Sequence, residues 1–252
     1  MMKQHLYILT GASRGMGLAM AERLLQSGNM LLCISRSSND MLAVQAKNAG
    51  ASLLQWSQDL ALCGRAGARL EQWLREQTSS SYASATLINN AGVIPRIGPL
   101  SDADADDLSR ALRVGLEAPM QLTSAFLRVT ESWDTTRKVL NISSGLGRRA
   151  MAAQAGYCAA KAGMDHFTRC VALDEALKPN GAKVCSLAPG VIDTDMQAQL
   201  RSADVGAFAD CSAFVRLKES GSLATPDQAA KSVLDFLHRD DFGSEPVADV
   251  RG

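Results

Sequence analysis

Tyr157 and Lys161 stand four residues apart in "YCAAK", a spacing that puts both on one face of a helix. A free tyrosine titrates near ~10, too high for easy proton exchange at neutral pH. A nearby ammonium favours the phenolate, lowers that value and makes the phenol a usable acid or base. Ser144 precedes Tyr157 by thirteen residues and follows an apolar run, where its hydroxyl can bond a substrate oxygen. The Tyr–Lys spacing alone also fits an ordinary amphipathic helix with a surface lysine.

A second cluster of chemistry-bearing residues is "LTGASRGMG", residues 9–17. Gly11, Gly15 and Gly17 lie between the apolar run Leu6–Leu9 and a segment with helical periodicity. Glycine there permits a tight turn and close backbone approach, and the unpaired amides opening the next helix suit a pyrophosphate. The spacing is Gly-x-x-x-Gly-x-Gly, so the general dinucleotide fingerprint Gly-x-Gly-x-x-Gly is met only loosely. A plain tight turn is the competing reading of this stretch taken alone.

The elements that must carry these residues alternate. Segments 6–10, 30–35, 51–56, 85–90, 138–143, 182–189 and 246–250 read as strands. Segments 14–27, 39–49, 61–77, 102–131, 155–177 and 226–238 carry helical patterns. The alternation predicts one doubly wound Rossmann-type α/β domain over residues 1–252, its mostly parallel seven-stranded sheet covered by helices on both faces. Residues 195–223 break the rhythm after a strand end and are expected to form a lid over a substrate.

Composition closes several other routes. Apolar residues make up 46% of the 252, enough for a large core, and 26 basic side chains balance 26 acidic ones. That balance gives no field favouring nucleic acid or an acidic membrane surface, and no run approaches the ~20 apolar residues of a membrane span. Six cysteines without a Cys-x-x-Cys pair and three scattered histidines predict buried thiols and no metal site. The opening "MMKQHLYILT" lacks the long apolar stretch of a secretory leader, so a cytoplasmic protein is expected.

Four further segments follow in order: "LINNAG" (87–92), "NISSG" (141–145), "YCAAK" (157–161) and "LAPGVIDT" (187–194). With the glycine stretch they resemble the short-chain dehydrogenase/reductase family over nearly the whole chain. The resemblance implies that Tyr157 gives a proton to a substrate carbonyl oxygen while a nicotinamide gives hydride to its carbon. Ser144 would hold that oxygen, and Lys161 would lower the Tyr157 pKa and bond the nicotinamide ribose. Gly11, Ser13, Arg14, Gly15, Met16 and Gly17 would form the cofactor loop. Asn90, Ala91 and Gly92 would line the adenosine ribose, Asp59 and Leu60 the adenine, and Pro189, Gly190, Ile192 and Thr194 the nicotinamide.

The second strand ends "CISRS", with Ser35 and Arg36 where an NAD enzyme usually places a carboxylate. Arg36 and Arg14 together suit a 2′-phosphate, so NADPH is the expected cofactor. The segments "PGVIDTDMQAQLRS" and "LKESGSLATPD" look like the branch that holds sepiapterin reductase and bacterial benzil reductases. That branch implies a small-molecule ketone, vicinal dicarbonyl or pterin as substrate, with Asp249 as a candidate anchor. Gly115 stands where the family has a catalytic asparagine, and water is expected to complete the proton path there. The family pairs its subunits through long helices, so a homodimer or homotetramer is expected. The alternatives are an NAD-dependent alcohol dehydrogenase working oxidatively and a cofactor-binding sensor with little turnover.

Overall fold

In a computed structural model that describes residues 3–251, seven strands form one sheet in the order β3-β2-β1-β4-β5-β6-β7. They are β1 (Gln4–Thr10), β2 (Asn29–Ser35), β3 (Ser52–Ser57), β4 (Tyr82–Asn89), β5 (Thr136–Ile142), β6 (Lys183–Ala188) and β7 (Val247–Asp249). Every pairing is parallel, the short β7 included. The expected doubly wound architecture is therefore present with no antiparallel edge. Met1, Met2 and Gly252 lie outside the described residues.

The apolar runs read as strands because the sheet is buried on both faces. Leu6 and Ile8 of β1 point into one core, Tyr7 and Leu9 into the other, as a period of two requires. The second core is completed by α1 (Gly15–Leu24), α2 (Asp40–Ala49) and α9 (Pro226–His238), and the first by α3 (Cys63–Arg75) and α5 (Ala118–Thr130). The strand order reverses between β1 and β4, so their carboxyl ends open a crevice where ligands of such sheets bind.

The expected helix over 102–131 is two helices, α4 (Ala105–Leu112) and α5, joined by one wide turn over Arg113–Glu117. In that turn the Ala118 N–H bonds the Arg113 carbonyl, five residues back. Pro119 explains it. A proline has no N–H for the carbonyl four residues earlier, that of Gly115, and its ring crowds that carbonyl. A widened turn relieves both problems without ending the helix.

The 195–223 interval folds into α7 (Asp195–Arg201) and α8 (Cys211–Glu219). Leu200, Phe208 and Cys211 make a small core of their own, against which Ile94, Ile97 and Met151 pack. The remaining helix, α6 (Ala155–Ala176), lies against β6 and carries Tyr157 and Lys161.

Gly17 shows how tightly the crevice is built. A Cβ there would overlap the Gly11 carbonyl oxygen and come within 2.5 Å of Asn90 Nδ2. Gly17→Ala should therefore cost about 2 kcal/mol or more in urea unfolding. Gly98→Ala, where a Cβ meets nothing within 4 Å, should change stability by no more than ~0.5 kcal/mol.

Candidate active site

The end of β1 is stitched to its neighbours. Thr10 Oγ1 accepts the N–H groups of Asn90 and Ala91 at 2.9 and 3.0 Å, and Asn90 Nδ2 donates to the Thr10 carbonyl at 2.9 Å. On the other side Ser35 Oγ accepts the Ala12 N–H at 2.8 Å. Asn90 and Ser35 thus hold the glycine loop in place with the very groups expected to bind cofactor. Gly11 and Gly15 adopt φ of +71° and +56°, the left-handed region that glycine enters without steric cost. No side chain caps α1 and no acid sits in its first turn, so its opening amides remain for an anion.

These residues and the catalytic candidates line one cleft of about 820 Å³. It brings together Gly11, Ser13, Arg14, Gly15, Met16, Gly17, Ser35, Arg36, Asp59, Leu60, Asn90, Ala91 and Gly92 on one side. Ser144, Tyr157, Lys161, Pro189, Gly190, Ile192 and Thr194 line the other. Asp59 also caps the turn that follows β3 by accepting the Ala61 N–H at 2.9 Å. Asp249 is not brought to the wall. Its carboxylate is held by Arg251, at 2.8 Å from Nε and 2.7 Å from Nη2, and Arg251 lines the cleft in its place.

Tyr157 and Lys161 are both buried, at 9% and 4% exposure. Burial pushes the Tyr157 phenol up to about 12, opposed by the Ser144 hydroxyl, which lowers it. The lowering expected from Lys161 is not found. Its ammonium is turned to the Ile142 carbonyl at 2.7 Å and lies 5.8 Å from the centroid of the tyrosine ring. Burial also drives the lysine down to about 8, against a raising influence from Asp165. Ser144 Oγ accepts the Leu146 N–H at 3.2 Å, which leaves its own proton free to donate.

Asp165, one turn beyond Lys161 on α6, is 1% exposed. It accepts hydrogen bonds from Ser143 Oγ at 2.5 Å and Ser186 Oγ at 2.7 Å, so it fixes the strand ends that carry Ser144. Gly115 proves to be a packing residue. A Cβ there would stand 3.2 Å from the Ala160 Cβ, so the missing side chain lets the wide turn pack closely on α6. Gln154 and Gln197 also line the cleft and were not singled out in the sequence, where neither stands in a chemistry-bearing motif.

The sequence profile described as short chain dehydrogenase matches residues 5–205. The chain belongs to that family. It is 34% identical to a benzil reductase, (S)-benzoin forming, of Bacillus cereus, over 93% of this chain and 94% of that protein. To a sepiapterin reductase of Meriones unguiculatus it is 30% identical, over 94% and 92%. A short-chain dehydrogenase/reductase structure from Burkholderia vietnamiensis superposes with a TM-score of 0.66 at 33% identity, covering 99% of this chain and 98% of that one. The protein is thus an oxidoreductase of carbonyl or alcohol groups from a family that uses nicotinamide cofactors. Among the described residues no helix is long and apolar enough to cross a membrane.

The buried ammonium gives a stability test with a definite sign. Lys161 titrates near 8 when folded against 10.5 when free, so between those values the unfolded chain binds a proton that the native one does not. Stability must then rise with pH across that window, and the full cost is carried below it. Lys161→Met should melt about 4 °C or more above the wild type at pH 7 and lose most of the alkaline gain. A lower melting temperature at pH 7 would show that the ammonium contributes net stability instead.

Proposed function

We propose that the protein is an NADPH-dependent carbonyl reductase acting on a ketone or vicinal dicarbonyl, with Tyr157 as proton donor. The observation that carries this reading is the convergence of Ser144, Tyr157 and Lys161 on the same cleft as the uncapped start of α1. The free amides there and the left-handed glycines would take the diphosphate of the cofactor. Arg36 would take its 2′-phosphate, being exposed and without an ion pair or side-chain hydrogen bond among the described residues. Arg14 is paired with Asp195 at 3.0 Å, but both side chains are largely exposed. Such a pair is worth at most ~1 kcal/mol, so Arg14 is free to join the clamp. When bound, the reduced nicotinamide supplies the hydride.

The chain's own groups do the rest. Ser144 donates its hydroxyl proton to the substrate carbonyl oxygen and fixes its position. Tyr157, kept protonated by burial, transfers its proton to that oxygen as negative charge gathers there. Lys161, one turn along the same helix, would stabilise the phenolate once its ammonium turns from the Ile142 carbonyl towards it. The exposed Met120 on α5 and Leu173 on α6 support pairing of subunits through these helices as a homodimer or homotetramer.

Following NADPH oxidation with an aryl diketone tests the acid. Tyr157→Phe should bind NADPH as the wild type does while turnover falls 10²–10⁴-fold, roughly the worth of a general acid. Retention of more than about a tenth of the wild-type rate would remove Tyr157 from that role. The cofactor reading has its own test. Arg36→Ala should weaken NADPH binding by about tenfold or more and leave NADH binding nearly unchanged, since one charge-assisted contact is lost. Equal losses for both cofactors would exclude the phosphate clamp.

A further inference from the structure

Two buried amides in the cleft have hydrogen-bonding groups with nothing to bind. Gln154, immediately before α6 and three residues ahead of Tyr157, is 2% exposed, and both its Nε2 and its Oε1 lack a partner. Gln197 on α7 is 3% exposed and its Nε2 lacks a partner. Both line the cleft. Buried polar groups in native proteins are nearly always paired, so two orphaned amides facing one cavity point to a ligand that completes them.

Both are held in place. Gln197 Oε1 accepts from Arg201 Nη1 at 2.6 Å, and a guanidinium has only donors to offer. The amide oxygen must therefore face Arg201, which leaves the NH₂ group as a fixed donor on the other side. Arg201 is held in turn by Asp193 at 3.3 Å, and Asp193 also pairs with Lys218 of α8. Gln154 follows Ala153, whose φ of +61° is strained for a residue with a Cβ. The carbonyls on either side hold that bend: Ala153 accepts from the Gly98 N–H at 3.3 Å, and Gln154 from the Cys158 N–H at 2.9 Å. Strained backbone beside a catalytic residue is a common mark of a preorganised site.

The surroundings narrow the chemistry. Ile94, Met151, Leu200 and Phe214 line the same cleft and belong to one apolar cluster that joins the lid to the loops beneath it. The orphaned groups within it carry no charge, whereas the arginines on the cleft wall, such as Arg36 and Arg149, are exposed. Of the nearby buried or half-buried cations, Lys161 is turned to the Ile142 carbonyl and Arg201 is engaged by Asp193, so a carboxylate or phosphate at these amides would find no unpaired cation. A neutral oxygen would be satisfied.

We propose that Gln197 and Gln154 are the specificity-determining residues of the cleft, selecting a neutral carbonyl substrate that bears a second hydrogen-bonding oxygen beside the reacting one. Gln197 Nε2 donates to that second oxygen as the lid covers the substrate. Gln154, with a donor and an acceptor both free, serves the substrate's remaining polar edge. This rests on the carbonyl-reductase reading above. A monoketone of the same shape leaves the amides unpaired, which is how a polar pocket rejects a less polar analogue.

The test reads binding without turnover. Tyr157→Phe protein loaded with NADP⁺ is titrated calorimetrically with phenylpropanedione and with propiophenone, which lacks the second oxygen. Adding Gln197→Met should lower diketone affinity about tenfold and thereby erase most of the preference for the diketone, with NADP⁺ affinity unchanged. Gln154→Met should act in the same direction and also raise the melting temperature of the unliganded protein by about 2 °C or more, because it removes a buried unpaired amide. Equal losses for the two ketones, or a tenfold loss of NADP⁺ affinity, would overturn the assignment. So would a lower melting temperature for Gln154→Met, which would mark a structural amide. A wild type that binds the diketone selectively but never reduces it would defeat the reductase reading and leave this one standing.

Discussion

Burial of a phenol and an ammonium one helical turn apart is the constraint on which the rest of this structure depends. Burial penalises the charged form of each. The phenol is driven away from ionisation and the ammonium towards losing its proton, both by loss of water. A tyrosine held neutral by burial keeps its proton until an acceptor arrives and the phenolate left behind is stabilised. A lysine whose charge is poorly solvated stands to gain from a developing phenolate. A phenolate formed beside the ammonium would offset the cost of burying either charge alone.

Holding such a pair out of water requires packing that leaves no choice of geometry. The turn after β5 passes so close to α6 that a Cβ on Gly147 would lie 2.7 Å from an Asp165 carboxylate oxygen and 2.9 Å from the Lys161 carbonyl. The same helix admits the α4–α5 pair through Gly156 and Gly163, where a Cβ would press on Leu108 and Leu116. Close approach of this kind brings Ser144 to the cleft wall shared with Tyr157. At the other end of the crevice, the Thr10 and Asn90 side chains tie the end of β1 to the end of β4 by hydrogen bonds to backbone groups. The site is a joint between two rigid halves of one sheet.

Most of this was legible in the residues. Strands buried on both faces announce themselves as apolar runs, and the motifs at their carboxyl ends follow the chain in order, so the lining of the cleft is legible in that order. What was not legible depends on distance rather than spacing. The Tyr157–Lys161 interval places the two on one helix face but could not reveal that burial dominates the phenol while the ammonium turns to the Ile142 carbonyl. Asn90 and Ser35 stand where cofactor ligands are expected, and only their hydrogen bonds show that they also hold the loop. Asp249 carries the right charge at the right strand end, yet Arg251, two residues on, engages it. The break at Arg113–Glu117 could have been anticipated from Pro119, which cannot donate to Gly115. Gln154 and Gln197 gave no signal, because an unpaired amide is recognised only when its surroundings are known.

Ultraviolet difference titration of the free protein against Tyr157→Phe isolates the one phenol on which the account turns. The account predicts that this tyrosine stays protonated through about pH 11, above the free value of ~10, in keeping with a phenol pushed up to about 12. Ionisation at or below that free value would contradict it, since it would mean that the ammonium, and not desolvation, governs the site.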